Sequence, residues 1–526
     1  MSSENLEINT FGLNTGSNEN KMDVGHVVLV HPLEYTKNTF TEEAKQSIPI
    51  SIWYLGSYLT HYGAKVTLIN FESDKNAINH LREIAPTADL IGLTMMTSQI
   101  THSLTVAKII KEEIGDIPIV AGGVHPTLYP KETIETPYVD FGIYGEGEIA
   151  LFELLHAIKE KKPEYYSTIS RLSYKKNGEI FYNSDRTPVD HSNYPDLNYS
   201  ILDQKVLKAQ ESLPLITSRG CPYNCQFCCN VVIAEKQTFS SWTTEKIMYE
   251  MRRGIELGVT DFFIWDDNFF QKKSKTDEFL KGIKKLPKKI TWFGNCRAEY
   301  FHQNYLSREF LKDLRSYGLT RVSIGAESGS EKMLTYLQKG NKPEHFMRSA
   351  EWCAEADIAP SYSFMIGMPK EEDPDIHETI KIIYKLCEIL PLPKILGPML
   401  YLPLPGSGMF NDCVNAGWQP PKTIQDWADM NSGYGFHAYN RPWIKNPKMV
   451  RIIWFYSLLI CAPFGKIVKL IRTYSRLTKH PKHKEWLLVF LALGGAILGK
   501  LRYKLNFYAF PVETKIFASL RSINSM

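Results

Sequence analysis

The sequence predicts an α/β protein built from two successive β/α segments and a mainly helical C-terminal region. Three observations carry this. Short apolar runs alternate with helix-length runs from residue 24 to about 160, and the same rhythm resumes from 206 to about 410. The last stretch, 411–526, loses the alternation and carries two apolar runs around a basic segment. At 526 residues the chain exceeds one ordinary domain, and 44% hydrophobic residues are enough to build real cores.

Residues 1–23 are polar, with no basic start followed by an apolar run, and are expected to form a loose tail. Without an export signal the expected placement is cytoplasmic, where thiols stay reduced. "HVVLVHP" reads as a buried strand, "IPISIWYLGSYLTHYG" as a helix ending at Gly63, and "AKVTLINF" and "DLIGLTMM" as strands. The helix "ITHSLTVAKIIKEEIG" follows, then the strand "IPIVAGG", then a strand and helix in "VDFGIYGEGEIALFELLHAIK". Such alternation over 24–160 predicts a doubly wound, Rossmann-like parallel sheet that binds its ligand beyond the carboxyl ends of the strands. Residues 161–205 are polar and turn-rich, and read as a linker with a hairpin around Asn177-Gly178.

From 206 to 410 six strand candidates appear: "LPLITS", "TDFFIWDD", "ITWFGNCR", "RVSIGAE", "APSYSFMIG" and "ILGPMLYLPL". Six β/α units predict a partial (β/α)6 TIM-like barrel with its chemistry at the carboxyl ends of the strands. In 411–526 the runs "IIWFYSLLICAPFG" and "WLLVFLALGGAILG" are each shorter than the roughly 20 residues a spanning helix needs. Between them "KIVKLIRTYSRLTKHPKHK" has seven Lys/Arg and no acid. Either these are core helices with a solvated basic face, or the region makes peripheral contact with a membrane surface. A net charge of only +4 argues against nucleic acid as a partner.

The chemistry concentrates in "SRGCPYNCQFCCN", where Cys221, Cys225 and Cys228 form C-x3-C-x2-C just after the first strand of the second segment. Thiolates select iron–sulfur clusters, zinc or copper(I). A structural zinc site wants four ligands, often as two separated pairs, and no second pair follows here. Three ligands on a cubane leave one iron open to a small molecule.

With Phe227 as the aromatic residue before the last cysteine, this loop resembles that of the radical S-adenosylmethionine (SAM) superfamily. The resemblance implies a 4Fe–4S cluster on Cys221, Cys225 and Cys228, with SAM chelating the fourth iron. An external donor such as flavodoxin or ferredoxin would supply one electron, cleaving SAM to methionine and a 5′-deoxyadenosyl radical. Further motifs resemble the family in order. "WDDNFF" offers Asp266, Asp267 and Asn268 to the methionyl amino group, or else forms a turn with helix-capping acids. "GNCRAE" offers Arg297 to the cofactor carboxylate, or a structural ion pair. "IGAESGS" offers Glu327 and Ser328 to ribose hydroxyls, and "FMIGMPKE" offers Gly367 to the adenine side.

Upstream, "VAGGVHPTLYPKE" and "VDFGIYGEGE" resemble the cobalamin (B12)-binding module of one branch of that superfamily. Gly122 and Gly123 would let a macrocycle or its tail approach, Thr94 supplies a hydroxyl at a neighbouring strand end, and Gly145 makes a tight turn into a helix N-terminus. His125 and His102 could face the corrin, or serve as surface or cap residues. The D-x-H-x-x-G motif that carries a cobalt-ligating histidine elsewhere is absent, and His61 and Gly63 do not fit it.

The resemblance implies hydrogen abstraction from an unactivated carbon, followed by cobalamin-dependent methyl transfer to a small molecule. If the C-terminal region meets a membrane, the expected substrate is lipid-like or polycyclic, as for several relatives. Ring closure or carbon–carbon bond formation without methyl transfer remains open. So do a non-catalytic iron–sulfur or corrinoid protein and a zinc-dependent nucleic-acid module. Cys229, Tyr362 and Tyr401 are candidates for returning a hydrogen atom.

Overall fold

The computed structural model describes residues 23–34, 48–184, 191, 194–230, 239–391, 394–432, 441–456, 458–477 and 482–509. The expected loose tail, 1–23, lies outside them except for Asp23. The chain packs as two compact units: residues 1–214 with 232–259 and 421–433, and residues 215–231 with 260–420 and 434–526.

The first unit is built on β1 (His26–His31), β2 (Lys65–Asn70), β3 (Leu90–Thr94), β4 (Ile119–Gly122), β5 (Phe141–Ile143), β6 (Leu172–Lys176) and β7 (Glu179–Tyr182). Its sheet runs β2-β1-β3-β4-β5-β6-β7. The first five strands are parallel and the last two antiparallel. The order reverses between β1 and β3, which in a doubly wound sheet marks the crevice where ligands bind. Helices α1 (Ile50–His61), α2 (Ala77–Ile84), α3 (Ile100–Ile109) and α4 (Glu148–Lys159) join or follow the parallel strands. Gly63, at φ 98°, ends the turn after α1 as a left-handed residue. Val27, Leu29, Leu59, Leu90, Leu151 and Leu155 belong to one buried core.

The segment expected as a linker, 161–205, departs from that reading. Its hairpin forms around Asn177 and Gly178, both at positive φ as a type I′ turn requires. Its strands then pair onto β5 and extend the sheet. Downstream, Trp53 donates its indole N–H to Asn198 O at 3.0 Å, and buried Glu250 accepts from Leu197 N and Tyr199 Oη. Glu250 lies on α5 (Thr244–Glu256), so this helix packs in the first unit although its sequence position is inside the expected barrel range.

A second, six-stranded sheet is built on β8 (Ser212–Leu215), whose last residue begins the second unit, and on β9 (Asp261–Ile264), β10 (Thr291–Cys296), β11 (Leu319–Glu327), β12 (Ala359–Ile366) and β13 (Lys394–Leu400) of that unit, in sequential order. All six expected strands are present, and β9 to β13 pair in parallel. Successive side chains on a strand face opposite ways. On β11 and β12 one set is Val322, Ile324, Ala326, Tyr362, Phe364 and Ile366, all buried. The other set is Ser323, Gly325, Glu327, Ser361 and Ser363. Helices α6 (Lys273–Ile283), α7 (Arg308–Ser316), α8 (Pro343–Glu355) and α9 (Asp373–Ile389) connect the strands. Farther on come α10 (Ile424–Ser432), which packs with the first unit, then α11 (Pro447–Tyr456), α12 (Phe464–Leu477) and α13 (Lys482–Lys504). Among the described residues no helix is long and apolar enough to cross a membrane.

Gly367, offered by the sequence to the adenine side of a ligand, lies in the turn after β12, where its backbone bonds the protein. It sits at φ 74°, and a Cβ there would meet Ile444, Leu400 and Val450. Its N–H donates to the Glu371 carboxylate at 2.6 Å, and its carbonyl accepts from Trp443 Nε1 at 2.8 Å. Burial pushes the Glu371 carboxyl up to about 8, against the downward pull of the Met368 and Gly367 N–H groups. The folded value lies above the ordinary one, so the folded state holds this proton longer than the unfolded chain. The stabilisation is complete below about pH 4.5 and is lost as pH rises towards 8. A Glu371→Gln variant keeps an acceptor for both N–H groups and removes the titration. In urea unfolding at pH 5 and pH 8, the wild type should lose on the order of 2–4 kcal/mol more than the variant. Equal losses would contradict the burial of this carboxyl.

Candidate functional site

The second unit holds a cavity of about 250 Å³, lined by Cys221, Tyr223, Cys225, Phe227, Cys228, Asp267, Asn268, Asn295, Arg297, Glu327 and Lys339 among others. The three motif cysteines therefore face one space at the carboxyl ends of the strands. All nine cysteines are free thiols. Burial pushes the Cys228 thiol up to about 12 and raises that of Cys221. Metal binding here must displace protons from the sulfurs.

The loop is held at its root and along its wall. Asp266, at the end of β9, is buried and accepts from Thr217 N (2.6 Å), Thr217 Oγ1 (2.6 Å), Ser218 N (3.1 Å) and Ser218 Oγ (2.6 Å). Arg297 stacks its guanidinium 3.6 Å from the Tyr223 ring centroid and reaches Cys225 Sγ at 3.6 Å. It also donates to Glu299 and to the Lys339 carbonyl. Tyr223 Oη, Tyr300 Oη and Asn268 Nδ2 form a chain, with links of 2.9 and 2.8 Å. Asn268 Oδ1 is buried at the cavity wall with no partner among the described residues, an acceptor placed for a ligand N–H.

The opposite wall comes from the polar faces of β11 and β12. Ser323 and Ser361 hydroxyls are bonded at 2.9 Å, and Lys339 Nζ meets Glu327 Oε1 at 3.1 Å. Glu327 has a φ of 65°, a strained backbone for a residue with a side chain. A Cβ on Gly325 would collide with both members of that ion pair. Sequence reasoning missed Asn295, Ser323, Gly325, Lys339, Ser361 and Ser363. For the three serines and Gly325 the signal was small or polar residues at every second position of otherwise apolar strands.

Several expected site residues do not face the cavity. The Asp266 carboxylate is consumed by Thr217 and Ser218, so it positions the loop instead of meeting a ligand. Ser328 is fully buried, its Oγ 3.1 Å from Thr379 Oγ1 and accepting from Ser330 N at 3.1 Å. Next to it, Gly329 lies against the backbone of Glu378 and Thr379 on α9, where a Cβ would not fit. Tyr362 is buried on the helix side, its hydroxyl 2.7 Å from Ser349 Oγ. Asp267, Asn268, Arg297 and Glu327 do line the cavity. Arg297 is also the ion-paired residue that the alternative reading described.

In the first unit Thr94, Gly122, Gly123 and Gly145 gather at or just beyond the carboxyl ends of β3, β4 and β5. Gly123 has a φ of 103°, and a Cβ there would sit 3.3 Å from Met95 N, Met95 O and Thr94 Oγ1. A Cβ at Gly122 would meet only Ile143 O, at 3.9 Å, so the protein itself leaves room there. Gly145 N donates to Thr127 Oγ1 at 2.9 Å. His125 departs from its expected role. It is fully buried against Tyr129 and Trp427, with Nδ1 3.3 Å from Thr97 Oγ1. Burial lowers its pKa to about 3, so the imidazole is neutral and enclosed. His102 is structural, accepting from Leu33 N at 3.2 Å and packing edge-on against Phe71.

The donor set can be tested for fit. Among the described residues no three His, Cys, Asp or Glu converge on a single metal ion. A multi-iron cluster takes its sulfur ligands on separate irons, so three soft thiols spaced around one cavity suit it.

Comparison with known proteins agrees with this geometry. A family model described as the Radical SAM superfamily matches residues 215–383, and one described as the B12 binding domain matches residues 42–155. An uncharacterized methyltransferase of Pyrococcus horikoshii is 30% identical over 304 residues, 57% of this chain and 64% of that protein. The anaerobic magnesium-protoporphyrin IX monomethyl ester cyclase of Cereibacter sphaeroides is 24% identical, over 73% of this chain and 63% of its own length. The chain thus spans a little under two thirds of each of these relatives. The solved structure of OxsB, a cobalamin-dependent S-adenosylmethionine radical enzyme, shares the fold with a TM-score of 0.65 at 17% identity, covering 95% of this chain and 75% of OxsB. With both modules matched in order, and with the thiol loop at the mouth of the second, this chain belongs to the radical SAM superfamily, in the branch that carries an N-terminal B12-binding domain.

Proposed function

We propose that the chain is a cobalamin-dependent radical SAM methyltransferase acting on a hydrophobic, lipid-like or polycyclic small molecule. The observation that carries this is the set of three thiols, Cys221, Cys225 and Cys228, around a cavity with polar strand faces, in a chain with a B12-binding domain. When bound, the cluster and SAM supply a radical able to take hydrogen from an unactivated carbon, and cobalamin supplies the methyl group.

The chain's own residues bind and orient. Cys221, Cys225 and Cys228 hold the cluster, with the Arg297 guanidinium against Cys225 offsetting thiolate charge. Asn268 Oδ1 and Asp267 accept N–H groups of a bound amine, and Asn295 lines the same wall. Ser323, Ser361 and Ser363 offer hydroxyls along β11 and β12, while Lys339 holds the Glu327 carboxylate at the far side. In the first unit Gly122 leaves the backbone open to a macrocycle, with Gly123 turning the chain beside it and Thr94 and Gly145 flanking them. Electron supply comes from an external donor of the flavodoxin or ferredoxin kind. The reading includes a peripheral contact of the C-terminal region with membranes. A second reading, ring closure without methyl transfer, is favoured by the likeness over 73% of the chain to a protein named as a cyclase.

An anaerobic assay separates the two. With a one-electron reductant and a lipid or tetrapyrrole extract, methyl transfer produces S-adenosylhomocysteine and 5′-deoxyadenosine together, and the purified protein carries corrinoid. Formation of 5′-deoxyadenosine without S-adenosylhomocysteine supports ring closure. Zinc in place of iron in anaerobically purified protein would overturn both.

A further inference from the structure

We infer that one face of α13 docks the protein on an anionic lipid bilayer. The inference sharpens the membrane contact proposed for the C-terminal region and does not depend on the radical reaction.

Over 489–504 the helix divides cleanly. Val489, Ala496, Gly499 and Arg502 are buried. A Cβ at Gly499 would meet Tyr456 Cγ at 2.8 Å and Ile460 Cγ1 at 3.1 Å, so this face packs directly on α11 and the residues after it. The opposite face follows helical spacing through Phe490, Leu491, Ile497, Leu498 and Leu501, and continues to Leu505 just past the helix end. All six are exposed, Phe490 to 74% and Leu505 to 70%. A helix apolar on every side is ordinarily buried on every side. Here half of it faces outward, joined by exposed Phe507. Contiguous apolar surface of this kind marks a contact with another phase or molecule.

Charge selects the occupant. Residues 441–509 contain fourteen Lys/Arg and one acid, Glu485, in a chain whose total is +4. Arg502 is buried, Lys500 is held by the Ile460 and Ala462 carbonyls, and Lys445 is paired with Glu372, so the excess of positive charge on the region is smaller than the count but remains large. Lys504 is exposed on the outward face. A second copy of the same surface would bring like charges together, whereas anionic head groups would neutralise them. No described helix can cross a bilayer, so the geometry is that of a helix lying in the interface, with its leucines and phenylalanines among the acyl chains.

The test is sedimentation of the full-length protein with vesicles of phosphatidylcholine alone and of phosphatidylcholine with one third phosphatidylserine. The expected result is pelleting with the anionic vesicles, weakened by 0.5 M salt. The double variant Leu498→Gln, Leu505→Gln alters two exposed side chains, so its circular dichroism and melting should match the wild type. Its partitioning onto anionic vesicles should fall about tenfold or more. Absence of pelleting, or equal pelleting of the variant, overturns the inference. So does a wild-type dimer in light scattering that the variant converts to monomer, because a second copy then covers the face. SAM cleavage measured on the same preparations fails or succeeds independently, so loss of either reading is distinguishable from loss of the other.

Discussion

A Cys225→Ala protein, reconstituted anaerobically with iron and sulfide, should lack the broad visible absorbance of the wild type and fail to form 5′-deoxyadenosine. Cys225 is the most buried of the three motif thiols, at 7% exposure, and the Arg297 guanidinium lies against its sulfur. Removing one of three ligands leaves two, too few to fix a cubane, and leaves Arg297 facing an apolar methyl. Loss of an outer-shell partner typically costs 10–100-fold in metal affinity or activity, so loss of a ligand should exceed about 100-fold. Measuring iron content alongside turnover separates this from misfolding. A variant that holds its iron and cleaves SAM at the wild-type rate would overturn the assignment of the loop.

The second large effect is on stability. Asp266→Ala should destabilise the protein by about 3–5 kcal/mol in urea unfolding. The change strips four buried donors, two N–H groups and two hydroxyls of Thr217 and Ser218, of their acceptor. Those residues lead directly into Cys221, so iron retention should fall with stability. Burial pushes the Asp266 carboxyl up to about 6 despite the hydrogen bonds pulling it down. Its folded value exceeds the ordinary one, so its contribution is full below about pH 4 and is lost as pH rises through 6. Asp266→Asn keeps an amide oxygen as acceptor and removes that slope. If Asp266→Ala melts with the wild type and keeps its iron, the carboxylate does not hold the loop as described.

Much of the architecture was legible in the residues. Each of the first five barrel strands carries buried apolar side chains at alternate positions, the sixth registers by its apolar composition although Leu396 and Met399 are exposed, and Asn177-Gly178 can adopt the two positive φ angles that a tight hairpin demands. The thiol loop was legible because soft ligands at short spacing have few other uses in one chain. What the hairpin does was not legible. Its strands could have ended in solvent, and they join the sheet only because β5 offers an unpaired edge. The same holds for Glu250 and Trp427, whose partners in the first unit are remote in sequence.

Within the site, motif position offered Asp266, Ser328, Gly367 and His125 to a ligand, with a capping turn or a cap residue as the alternative for Asp266 and His125, and in the structure each bonds or packs on the protein itself. Each is polar or glycine at a strand end, as a ligand contact would be, but each meets a protein partner first. The cavity wall was hidden for the converse reason. Ser323, Ser361 and Ser363 are unremarkable in isolation, and they become a surface only when two neighbouring strands align their inward faces.

By itself, the sequence determined the order of modules, the strands and the three soft ligands, because periodicity and ligand type are local properties of the chain. Only the tertiary structure decided which polar groups remain free to meet a ligand and which are spent holding the fold. That outcome depends on distances between residues far apart in the chain, and no local pattern encodes them.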